Sequence, residues 1–177
     1  MSNSVFIATS LDGYIADKNG GLDWLHAIPN PDQNSMGFIE HFERIDAMVM
    51  GRNTLNTVLS FDVEWPYSKP VFVLSNTMTS VPEGYEDKVF LVKGELKEVL
   101  HEIHAKGFKN LYIDGGVTIQ NFLKEDLIDE LIITTIPVLL GGGSPLFAGL
   151  EQPLNFKFVK SETFLSAIVQ NHFVRER

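Results

Sequence analysis

The chain has 177 residues, 44% of them apolar and 21% charged, which is the composition of a globular protein able to bury a core, and it excludes disorder and a membrane-embedded class. Acids outnumber bases 23 to 14, for a formal net charge of -9, so nucleic acid and anionic membrane are disfavoured as partners. There is no cysteine, which rules out a disulfide framework, a zinc–thiolate site and a cysteine nucleophile.

In chain order, Met1 to Ser10 has no basic lead-in and does not read as a signal peptide, so the expected location is the cytoplasm. Val5 to Thr9 reads as a buried strand stopped by Leu11-Asp12-Gly13. A polar, glycine-rich loop follows from Asp17 to Gly21 and continues past Pro29 and Pro31. Phe38, Ile39, Phe42 and Ile45 recur at helical spacing, which predicts a helix over Ser35 to Arg44. Ala47 to Met50 is a second strand, and Arg52 to Leu59 a helix with Asn53 or Thr54 near its N-cap. Val71 to Leu74 and Val89 to Val92 are the next strands. Leu96 to Lys106 is an amphipathic helix stopped by Gly107.

Leu111 to Ile113 is a strand, Thr118 to Leu123 a helix and Glu130 to Ile136 another strand. The apolar stretch Leu131 to Leu140 is too short to span a bilayer. Asn155 to Phe164 and Ala167 to Val174 read as a closing antiparallel hairpin. Strands alternate with helices and then continue alone. That order predicts one α/β domain, residues 1–177, with three αβα layers. Its sheet is mainly parallel, with an antiparallel C-terminal hairpin.

Ligands in open α/β sheets bind at the carboxyl ends of strands. Three such ends here carry suggestive residues. Gly51-Arg52-Asn53-Thr54 combines a close backbone approach, a helix N-terminus and a guanidinium suited to phosphate; a helix cap with a solvent-facing arginine reads equally well. Asp114-Gly115-Gly116-Val117-Thr118 permits close approach to a pyrophosphate, or is a tight turn. Leu74-Ser75-Asn76 offers small hydrogen-bonding groups, or a capped turn. No metal site is expected: His101-Glu102-Ile103-His104 has the wrong spacing for a zinc helix. Ser144 lacks the nucleophile-elbow pattern.

Taken in order, these segments resemble the dihydrofolate reductase superfamily. The resemblance is carried by Ile7 to Ala16, Gly21 to Leu25, Val49 to Thr54, Val73 to Asn76, Ile113 to Gly116 and Ile133-Thr134. Within it, Ser10-Leu11-Asp12-Gly13 and Pro137 to Phe147 look most like the reductase domain of bacterial riboflavin biosynthesis, here as a stand-alone protein.

The resemblance implies an NADPH-dependent oxidoreductase acting on a small-molecule substrate, and a homodimer. It puts Gly51, Arg52 and Thr54 on the adenosine side of NADPH, with Arg52 near the 2′-phosphate. Leu74, Ser75 and Asn76 would meet the adenosine ribose and phosphate. Gly115, Gly116, Val117 and Thr118 would cradle the pyrophosphate, and Ala8, Thr9 and Ile15 would flank the nicotinamide. The substrate would lie near Trp24, Ser35, Phe38 and Thr134, with Asp12 the best side-chain candidate for a general acid; a turn-capping role suits Asp12 equally.

Two departures bear on the substrate. The acid that protonates dihydrofolate falls on Ser35, which cannot bind a pterin edge as a carboxylate does. From Trp24 to Ile45 the only cation is Arg44, where a phosphorylated substrate calls for more. The leading expectation is a reductase of the phosphoribosylamino-pyrimidine of riboflavin synthesis. Dihydrofolate or another pterin comes second, and an unassigned small heterocycle third. A non-catalytic nucleotide-binding sensor is the reading from a different class.

Overall fold

The computed structural model describes residues 1–177. Its strands are β1 (Ser2–Ser10), β2 (Tyr14–Ala16), β3 (Ala47–Gly51), β4 (Val71–Leu74), β5 (Val89–Val92), β6 (Asn110–Asp114), β7 (Glu130–Ile136), β8 (Ser144–Pro145), β9 (Phe156–Phe164) and β10 (Ile168–Arg175). Its helices are α1 (Phe38–Arg44), α2 (Arg52–Ser60), α3 (Leu96–Ala105) and α4 (Gly116–Lys124), with a 3-10 turn over Asp23–His26. No helix is long and apolar enough to cross a membrane.

Eight strands form one sheet in the order β5-β4-β3-β6-β1-β7-β10-β9. The run from β5 to β7 is parallel throughout, whereas β10 is antiparallel to both β7 and β9. The central strands are apolar on both sides because both sides are covered. On one face Val5, Val49, Phe72, Leu111 and Ile113 pack under α3 and α4. On the other, Met48, Met50, Val73 and Tyr112 pack with Leu55 of α2 and with Phe38 and Phe42 of α1. The expected three-layer α/β architecture with its antiparallel C-terminal hairpin is present.

Several boundaries differ for local physical reasons. β1 starts at Ser2 because its polar residues find partners: Asn3 Nδ2 donates to the Leu127 carbonyl at 2.8 Å and Ser4 Oγ to the Leu111 carbonyl at 3.2 Å. α1 starts at Phe38, not Ser35, because Met36 (φ 52) and Gly37 (φ 84) are left-handed and break the helix. Gly51, rather than Asn53 or Thr54, is the N-cap of α2. α4 begins at Gly116, before Thr118. The pairing of β2 with β8 was not expected; each is a few residues long and the partner is distant in sequence.

Phe122 of α4 has no exposed surface and joins the core under the sheet. Phe122→Ala should cost about 3–5 kcal/mol in urea unfolding, and a loss below about 1 kcal/mol would contradict this packing.

Candidate functional site

β3 and β6 are neighbours, with Met50 beside Asp114, so the helices that follow them start side by side. Gly51 is the N-cap of α2 and Gly115 that of α4, and neither helix has a side-chain cap. Their first N–H groups are therefore free for an anion. The two starts are packed closely. A Cβ on Gly115 would run into the Thr54 side chain, and one on Gly51 would stand 3.0 Å from Thr118 Oγ1. Gly115 also has φ 94, a conformation that side chains disfavour. A Cβ on Gly116 would stand 2.8 Å from Ile15 Cδ1, so β2 lies over the start of α4. The structure thus brings Gly51, Thr54, Gly115, Gly116, Thr118 and Ile15 together, while Val117 is exposed beside them.

Arg52 points outward and donates from Nη1 to Thr77 Oγ1 at 3.3 Å. Thr77 Oγ1 lies 3.4 Å from Ser75 Oγ, which accepts from the Met78 N–H at 3.1 Å. Arg52 and Ser75 therefore share Thr77, a neighbour that sequence reading did not single out. Asn76 is engaged elsewhere, accepting from the Gly94 N–H at 3.3 Å. Leu74 closes β4 and packs against the core.

A second region lies on the sheet face under α1. The register sets Ala8 beside Thr134, and Thr134 beside Gln170. Thr9 is buried on the opposite face. Gln170 Nε2 donates to Thr134 Oγ1 at 2.9 Å and to the Met36 carbonyl at 2.8 Å, which ties the segment before α1 to the sheet. Gln170 was not anticipated, because only the strand register places it there. Trp24 is buried with Ile136 and Ile168 and donates from Nε1 to the Gly21 carbonyl at 3.1 Å, so it anchors its loop. Phe38 packs instead against Phe6, Phe42 and Tyr112. Trp24 and Phe38 sit in separate clusters.

Ser35 lines a groove of about 420 Å³ between α1 and the β10–β9 hairpin, with His41, Arg44, Lys160, Glu162 and Gln170. Lys160 is a second cation that the local sequence around α1 does not contain. Both cations are paired, Arg44 with Glu130 at 3.1 Å and Lys160 with Glu162 at 2.8 Å. His41 stacks on Phe6 with ring centroids 5.0 Å apart, and burial pushes its imidazole down to about 4. It is neutral at pH 7.

Asp12 and Asp114 differ sharply. Asp12 Oδ1 accepts from Ser10 Oγ at 2.6 Å and from the Leu140 N–H at 3.1 Å, and Oδ2 accepts from the Gly141 N–H at 2.8 Å. Led by the Ser10 hydroxyl, these donors hold its carboxyl at about 2. It is ionised at neutral pH, has no proton to give, and clasps the loop after β7. Asp114 lies at the end of β6 on the α1 face, two residues from Tyr112. Part of the residue reaches the surface, yet burial of its carboxyl pushes it up to about 6, with only the Gly115 N–H, at 2.9 Å, opposing. Its proximity also helps raise Tyr67, pushed to about 12 mainly by burial. Sequence reading quoted Asp114 within the glycine motif but gave it no role. The available signal was a carboxylate directly after the apolar run Leu111 to Ile113.

Comparison with known proteins fits this geometry. A family model described as the RibD C-terminal domain matches residues 4–170. The chain belongs to the RibD C-terminal domain family. A Bacillus subtilis (strain 168) protein known as YwjB and described as uncharacterized is 36% identical over 175 residues, covering 97% of this chain and 96% of that protein. A crystal structure from Shewanella sp. PV-4, assigned provisionally to riboflavin biosynthesis, is 66% identical with a TM-score of 0.98 over the full length of both chains. Enterococcus faecalis dihydrofolate reductase, solved with NADP(H), superimposes with a TM-score of 0.66 at 18% identity, over 99% of this chain and 97% of that one. That last likeness concerns the fold.

The raised Asp114 carboxyl has a direct consequence for stability. The folded state holds its proton more tightly than the unfolded chain, so stability falls as pH rises from about 4 to about 6. Over that window wild type should lose up to about 3 kcal/mol relative to Asp114→Asn in urea unfolding. Parallel pH curves for the two proteins would contradict the burial of this carboxyl.

Proposed function

We propose that this chain is an NADPH-dependent reductase acting on the phosphoribosylamino-pyrimidine of riboflavin synthesis. The observation that carries the cofactor is the pair of adjoining, uncapped helix starts at Gly51 and Gly115, where a Cβ would fill the space. Such a cradle suits a dinucleotide, whose phosphates would meet the α4 N–H groups while Arg52 and Ser75 hold the adenosine end. When bound, the nicotinamide supplies a hydride. The family and the Shewanella relative support the riboflavin-type substrate.

The chain's own residues would do the rest. Ala8 at the end of β1 and Ile15 over Gly116 form apolar walls beside the nicotinamide position. Thr134 offers a hydroxyl already oriented by Gln170. Reduction of a C=N bond adds a hydride to carbon and a proton to nitrogen. Asp114 is suited to hold that proton, since its carboxyl at about 6 is part-protonated near neutrality. Asp12 acts as a positioning residue, fixing the loop that follows β7. The homodimer implied by the resemblance is part of this reading.

The test is NADPH oxidation with the pyrimidine substrate. Wild type should turn over, with kcat falling as pH rises through about 6. Asp114→Asn should lower kcat by about 10²-fold or more and remove that pH dependence. Tight NADPH binding without turnover of the pyrimidine would overturn the substrate assignment.

A further inference from the structure

Thr134 and Gln170 face each other across β7 and β10, and both are buried, at 5% and 6% exposure. Their neighbours on the same face of the sheet are Ile132, Ile136 and Ile168, all buried. A polar pair in such apolar surroundings has to find hydrogen-bond partners within reach.

The Gln170 amide has one possible orientation. Its Nε2 lies 2.8 Å from the Met36 carbonyl, which only accepts, so the nitrogen and not the oxygen stands there. The second hydrogen on Nε2 goes to Thr134 Oγ1 at 2.9 Å. An amide nitrogen accepts nothing, so Thr134 is the acceptor in this bond. One lone pair and the hydroxyl proton of Thr134 remain. No atom of the chain accepts that proton. The group left over on this buried surface is therefore a donor, and Gln170 fixes it as one. Gln170 in turn is held by Met36, whose carbonyl reaches the sheet from a left-handed turn (φ 52) before α1.

We propose that Thr134 selects its substrate by giving this proton to a ring oxo group, with Gln170 as the positioning residue that sets the polarity. This rests on the reductase reading above and narrows its pyrimidine to the uracil type, with an oxo group over Thr134. An amino group there would meet only the remaining lone pair and would strand the hydroxyl proton in an apolar setting. Sites built around a buried hydrogen bond reject the mismatched analogue strongly.

The test is NADPH oxidation, measured as kcat/KM, with three otherwise identical phosphoribosylamino-pyrimidines: the 2,4-dioxo ring, the 2-amino-4-oxo ring and the 4-amino-2-oxo ring. Wild type should favour the dioxo ring by about tenfold or more over one of the two amino rings. Thr134→Ser should keep that preference. Thr134→Val should lose it, because the dioxo rate falls while the rate with that amino ring stays nearly level. Gln170→Glu sets a carboxylate acceptor beside the hydroxyl, so Thr134 turns its proton away and offers lone pairs to the ring; the preference should reverse. The new carboxylate also opposes the Met36 carbonyl and slows every ring, which leaves the ratio as the readout. A wild type indifferent to both amino replacements, the result if ordered water takes the proton, overturns the inference while the reductase reading stands. So does a preference that survives Thr134→Val or ignores Gln170→Glu. No turnover of any of the three rings overturns both.

Discussion

The packing of Gly115 against Thr54 is the constraint on which the candidate site depends. It holds two helix starts at adjacent strand ends closer than any side chain at Gly115 would permit. Two positive helix ends then face the same crevice, without side-chain caps to satisfy them. The thin supply of cations in an acidic chain is thereby offset by backbone N–H groups and by Arg52. Ile15, against Gly116, shows that the β1–β2 turn closes over the same point. The Asp12 clasp to Leu140 and Gly141 ties that turn to the loop after β7.

Charge placement divides the molecule into two kinds of polar site. Asp12 is satisfied by donors and stays ionised, so its work is mechanical. Asp114 has a single donor and a desolvated carboxyl, which is the arrangement that brings an acid toward neutral pH. The groove beside α1 is a third case. Arg44 and Lys160 lie there against Glu130 and Glu162, and the pairing blunts their pull on a phosphate. Lys160 adds a cation to the groove without making it strongly positive.

Much of the fold was legible because its signals are local. Val71–Leu74, Val89–Val92 and Glu130–Ile136 are apolar runs bounded by proline, glycine or polar residues, and their structural limits match those read from sequence. The start of α1 was misjudged because a left-handed Met36 has no sequence signature. β2 and β8 escaped because a strand of a few residues shows no periodicity. In the site, the glycine-bearing strand ends were legible as motifs. Gln170 and Lys160 were not, since each reaches its place only through pairing in the C-terminal hairpin. Asp114 was visible as a residue but not as a buried acid; that follows only once Tyr112 and Tyr67 are packed around it.

The central claim is a dinucleotide cradle between α2 and α4, and calorimetric titration with NADPH tests it most directly. Wild type should bind NADPH saturably, one per chain. Gly115→Ala, which drives a methyl group into Thr54 at φ 94, should bind about 10²-fold more weakly or not at all while its circular dichroism remains that of a folded protein. Absence of NADPH binding by wild type, or equal affinity in Gly115→Ala, would contradict the account.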